Sequence, residues 1–134
     1  MPDEIYIKIQ NGKTHLEEIE GYLRNIPFCF QDPVFPYIYL LCGSKESMKF
    51  RLEQRLAARN AKGVSRPYEC FVALRAELLT VDLLGDEDSA ASCKSFLKWL
   101  LDHYSFEEIT DDYGNNLTQM FKKDKDKSLE RVFE

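Results

Sequence analysis

The chain has 134 residues, with 18 Lys plus Arg against 23 Asp plus Glu, a formal charge of -5, and an apolar fraction of 44%. A chain of this length buries roughly two-thirds of the surface it exposes when unfolded, so it can hold a core without disulfide or metal, and its composition excludes wholesale disorder. No stretch approaches the roughly 18 apolar residues of a membrane span, and Asp3 and Glu4 stand where a signal peptide would carry basic residues, so a soluble, cytoplasmic protein is expected.

Ile5, Ile7 and Ile9 alternate with Tyr6 and Lys8, the period of a strand with one buried side, and Asn11-Gly12 turns the chain. Thr14 and Glu17 have the spacing of a capping box, and Leu16, Ile19, Leu23 and Ile26 continue as a helix to about Asn25. From Pro27 to Pro36, three prolines and four large apolar side chains (Phe28, Phe30, Val34, Phe35) exclude a regular helix and are too apolar for a solvated loop, so the segment must pack on something. Tyr37 to Cys42 is a continuous apolar run, expected as a central strand covered on both faces.

Ser44 is expected to cap a second helix from Lys45 to about Ala61. Residues 68–84 read as two strands, with Cys70, Val72 and Leu74 on one face and Leu79, Val81 and Leu83 on another, although Arg75-Ala76 makes a poor hairpin turn. The rival is a helix starting at Pro67. Asp86, Glu87 and Asp88 precede a helix over Ser89 to Tyr104, whose Phe96, Leu97, Leu100, Leu101 and Tyr104 form its buried stripe. A strand from Phe106 to Thr110 runs into the turn residues 111–116. The sum is an α+β protein: a single layered domain over 1–121, with a mixed sheet of about four to five strands and helices packed on one face. Residues 122–134 are expected as a polar tail, a solvated linker ending in a short docked or frayed helix.

The four cysteines contain no C-x-x-C pair and the chain has two histidines, so neither a metal site nor a cofactor is expected. Phosphate-loop, dinucleotide, nucleophile-elbow and zinc-protease signatures are absent, and His15 and His103 lie in no motif that would activate a cysteine. The expectation is a protein that is not an enzyme of a common class. The alternative is a small-ligand or phosphate site, or an enzyme, around Ser44 and Tyr37, because Cys42-Gly43-Ser44 joins a strand to a helix N-terminus.

Charge separates along the chain. Residues 45–66 carry a local excess of five positive charges, and the remainder is correspondingly acidic. Arg51, Arg55, Arg59 and Lys62 span an arc of about 80° on a helix, a basic patch that would face phosphate or an acidic partner. An overall pI near 5.1 opposes tight nucleic-acid binding, which is kept as a weak alternative. The acidic pole is expected to comprise Asp86, Glu87, Asp88, Glu107, Glu108, Asp111 and Asp112, with Tyr113 as an aromatic anchor, meeting a basic protein partner. Immunity proteins and mobile-element accessory proteins share this size, charge and poverty of motifs, a comparison that rests on no matched residue. A homodimer formed through the same patch is the competing partner.

Overall fold

The computed structural model describes residues 2–61 and 70–134. The elements run β1 (Glu4–Ile9), α1 (Gly12–Arg24), β2 (Cys29–Gln31), β3 (Ile38–Leu41), α2 (Lys45–Ala58), β4 (Phe71–Arg75), β5 (Leu78–Asp82), α3 (Glu87–His103), β6 (Phe106–Asp111), α4 (Thr118–Lys123) and α5 (Lys125–Val132). Six strands form one sheet in the order β2-β3-β4-β5-β1-β6. Every pairing is antiparallel, so the α+β class holds with a sheet one or two strands larger than expected and antiparallel throughout.

The main core lies on one sheet face. Ile5, Ile7 and Ile9 of β1, Val72 and Leu74 of β4, and Leu79 and Val81 of β5 meet Ile19 and Leu23 of α1 and Phe96, Leu97, Leu100 and Leu101 of α3 there. The strand period of two sends alternate residues of β3 and β4 to the opposite face. Ile38, Leu40, Cys42, Phe71 and Ala73 form a second, smaller core, closed by Phe30 and Phe35 of the proline-rich segment and by Met48 of α2. The helices are therefore not all on one face: α2 packs on the other. All four residues of β3 are buried, as a strand covered on both sides requires. β3 lies between β2 and β4, one place in from the sheet edge, while β4 and β5 occupy the middle.

Several local expectations change. Thr14 lies inside α1 rather than capping it, because Asn11 in the left-handed region (φ 55°) starts the helix three residues earlier. The proline-rich segment contributes β2, an edge strand too short for its residue pattern to stand out. Residues 71–82 are a hairpin, not a helix, with Ala76-Glu77 at the turn; the proposed start of the rival helix, Pro67, lies outside the described residues. Residues 122–134 are no solvated linker, but the short helix expected at their end is present and docked. Asp124 caps α5, Leu129 and Val132 are buried in the main core, and Lys98 of α3 bridges Asp126 at 3.0 Å while Lys125 bridges Asp102 at 3.1 Å.

Candidate functional site

The groups suited to catalysis are dispersed. Cys42, Cys70 and Cys93 are buried, and burial together with the neighbouring Cys42 pushes the half-buried Cys29 thiol up to about 12, far from the thiolate a nucleophile needs. Cys93 donates to Cys70 and its own thiol is held well above the usual range by that hydrogen bond and by burial. His103 follows Cys93 by about 15 Å of the same helix and hydrogen-bonds the Trp99 carbonyl through Nδ1 at 2.8 Å. His15 lies 3.1 Å from Glu18 and packs on Tyr104, with ring centroids 4.7 Å apart.

Ser44 and Tyr37 do not share a site. β3 separates them by about 13 Å of strand alone. Ser44 accepts from the Ser47 amide at 3.2 Å as the N-cap of α2, and the Tyr37 ring lies under the Arg75 guanidinium.

The basic arc is also broken up. Arg55 is 7% exposed and forms a two-pronged ion pair with the fully buried Asp32 side chain, Nε to Oδ1 and Nη2 to Oδ2 both at 2.9 Å. It therefore ties α2 to the proline-rich segment rather than facing a partner. Arg51 lies against the Phe50 ring and donates to Gln54, Arg59 is exposed, and Lys62 lies outside the described residues.

The acidic residues divide into two groups. Glu107 and Glu108 sit in the first half of β6, opposite Lys8, with Glu107 bridging Lys8 at 3.4 Å, so they belong to the other end of the sheet. Asp111 and Asp112 close β6 beside the start of β1, and Asp86, Glu87 and Asp88 begin α3 after β5, the strand on the other side of β1. The same end gathers both clusters because β1 pairs antiparallel with both neighbours, placing its first residues beside the last of β5 and of β6. That pairing adds Asp3 and Glu4, which the sequence reading had not joined to the pole. The signal was present: an acidic dipeptide immediately preceding the first strand lies wherever that strand begins.

Not all of these carboxylates are free to meet a partner. Asp111 is 7% exposed and accepts from the Tyr113 amide at 3.0 Å and the Asn115 amide at 2.9 Å, with a further bond from the Asn115 side chain. Burial alone would raise its carboxyl, but the Asn115 and Tyr113 donors outweigh burial and hold it below the ordinary value. Asp112 accepts from the amides of Asp3 and Glu4, both at 3.1 Å, fastening the N-terminal segment to the turn. Asp86 caps α3 through the Ser89 amide at 2.8 Å. Asp3, Glu87 and Asp88 are exposed, and none of these three forms an ion pair with a described residue. Amid this rim stand Tyr113, 65% exposed, and Leu84, 38% exposed. Asp3, then burial, then Asp112 and Asp111 raise the Tyr113 phenol.

A groove adjoins the rim, bounded by the end of α1, the Pro27-Phe28 turn and the first half of α3. Phe28 holds a left-handed backbone (φ 59°) that costs a phenylalanine about 1–2 kcal/mol, and its carbonyl accepts from the Cys42 amide at 3.0 Å. Its side chain remains 40% exposed at the groove. Such a residue is not one that propensity would place there. Comparison with protein families, characterised proteins and solved structures finds no match to this chain. Among the described residues no helix is long and apolar enough to cross a membrane.

Proposed function

We propose that the protein is a small, non-enzymatic interaction module that binds a basic protein partner through the acidic end of its sheet. One observation carries this reading: Asp3, Glu87 and Asp88, exposed and without ion-pair partners among the described residues, lie at the end of the sheet where Leu84 and Tyr113 are also exposed. Charges arranged on one side raise the rate of encounter with an oppositely charged surface, and an apolar or aromatic centre supplies contact energy once water is expelled. The buried Arg55 weakens the competing reading of a phosphate-facing basic helix, since a guanidinium turned inward onto the buried Asp32 is out of reach of a phosphate at the surface.

The residues that form the turn are the wrong ones to test with. Charge reversal at Asp111 or Asp112 would break the hydrogen bonds that shape the site, whereas Asp3→Lys, Glu87→Lys and Asp88→Lys change its field while sparing the Asp111, Asp112 and Asp86 caps. Affinity capture from the cells of origin should retain basic proteins on the native chain, with retention falling steeply as salt is raised, and should lose them on the triple reversal. Retention of the same proteins by both forms would refute the proposal. Sedimentation of the purified chain reads the homodimer alternative directly: a dimer dissociated by the same three changes would replace the foreign partner with a second copy.

A further inference from the structure

The groove beside the acidic rim has a chemistry of its own. Its volume is about 480 Å³, within the range of sites that engulf a small group. Ala91, Ser92 and Ser95 form its floor, and these short side chains leave α3 low along that stretch. Phe28, exposed, and the half-buried Tyr22, one face of whose ring is stacked on Trp99, supply aromatic walls above the buried Phe96, Phe28 from a backbone conformation that phenylalanine seldom adopts. Among the described residues Asp88 is the only charged one lining the groove, and its carboxylate has no ion-pair partner there. An occupant that satisfies all of this has a slender apolar stem, a face that lies against aromatic rings and a cationic head.

We infer that the groove receives an arginine side chain presented by the basic partner, its methylenes along Tyr22 and Phe28 and its guanidinium on Asp88. Arginine fits better than lysine, because a planar guanidinium donates two parallel hydrogen bonds to one carboxylate where an ammonium acts as a point charge. The Ser92 and Ser95 hydroxyls offer further acceptors along the floor. The inference rests on the acidic-rim reading, since it names where the partner's side chain seats, and the two can fail separately.

The test uses the full-length chain labelled with 15N and titrated with acetyl-triarginine amide, with acetyl-trinorleucine amide and acetyl-triglutamate amide as controls. Triarginine should produce saturable shifts at the amides of Gly43, Ala91, Ser92 and Ser95, and Asp88→Asn should weaken it at least about tenfold. Ala91→Trp should abolish the groove shifts without altering the charge, and Ser95→Trp serves the same purpose if the first variant loses its native spectrum; both positions are exposed. Shifts confined to Asp3, Asp112 and Tyr113 would leave the acidic rim standing and overturn the groove. Equal binding of trinorleucine would make the groove an apolar pocket and overturn the arginine assignment. No saturable shift anywhere, or equal binding of triglutamate, would overturn both.

Discussion

Asp111 and Asp112 are adjacent carboxylates with separate structural tasks. Asp111 organises the turn after β6 through three donors, and Asp112 anchors the amides that precede β1. Asp111→Ala should destabilise the protein by about 1–2 kcal/mol in urea denaturation, the lower part of the range for lost charged acceptors because the freed Tyr113 and Asn115 amides can turn to water. Asp111→Asn should recover part of that loss by keeping one acceptor. The pH dependence follows from the lowered carboxyl of Asp111. A carboxyl depressed on folding contributes stability that is fully present above the unfolded value, near pH 4, and is lost as pH falls through the folded value. The Tyr113 and Asn115 amide resonances should accordingly be invariant from pH 7 to about 5 and move together only below about 4. Movement centred near pH 6 would show that another group controls the turn.

α2 and α5 dock by different physics. α5 is short, yet Leu129 and Val132 enter the main core, so Leu129→Ala should cost about 2–5 kcal/mol by the usual cavity penalty. α2 has fourteen residues and only Arg55 among them is buried. Its Phe50 and Leu56 remain 57% and 44% exposed. Its attachment therefore depends heavily on a buried ion pair in place of an apolar stripe. Removing one partner of such a pair leaves the other charge buried and typically costs about 3–5 kcal/mol, so Asp32→Ala should lower stability by that order and raise amide exchange in α2 well before α3. Equal loss of protection in both helices would mean that α2 is held chiefly by Met48 and its neighbours. Gly43 joins these elements: its φ is 76°, and a Cβ there would lie 2.3 Å from the Asp88 carbonyl oxygen. Gly43→Ala should consequently shift the start of α3 and lower the melting temperature, a larger effect than Gly114→Ala, where φ is 83° but the space is open.

Across the whole molecule, the sheet gathers the exposed carboxylates of the rim at one end, where each contributes to a field that ordinary salt screens over about 8–10 Å. Association with a basic partner should therefore slow steeply between low and physiological ionic strength, while the dissociation rate, set by contacts around Tyr113, Leu84 and the groove, should change little. Stopped-flow kinetics with the captured partner separates the two. Glu107→Lys with Glu108→Lys is the internal control. These residues lie at the far end of β6 and should leave association almost unchanged, although they carry as much charge as Glu87 and Asp88.

The alternation of Ile5, Ile7 and Ile9, the unbroken run through Ile38 to Leu41, the stripe of α3 and the Ser44 cap were legible because each depends on the local period of a strand, a helix or a cap. That was enough for the α+β class and for the two strands of the 71–82 hairpin. β2 was not legible: three residues are too few for a period, and they are strand only because β3 supplies their hydrogen bonds. The face on which α2 packs, and the conversion of Arg55 from surface cation to buried partner of Asp32, depended on a residue 23 positions away. The acidic pole was partly legible. Asp86–Asp88 and Asp111–Asp112 do reach one end, while Glu107 and Glu108, close neighbours of Asp111 in sequence, are carried away from it by the extended rise of β6. Composition and periodicity determine which elements form and which side of each is apolar, because those properties act within a few residues. The pairing of β1 between β5 and β6 decides which charges meet, because strand order is set by packing between segments far apart in the chain.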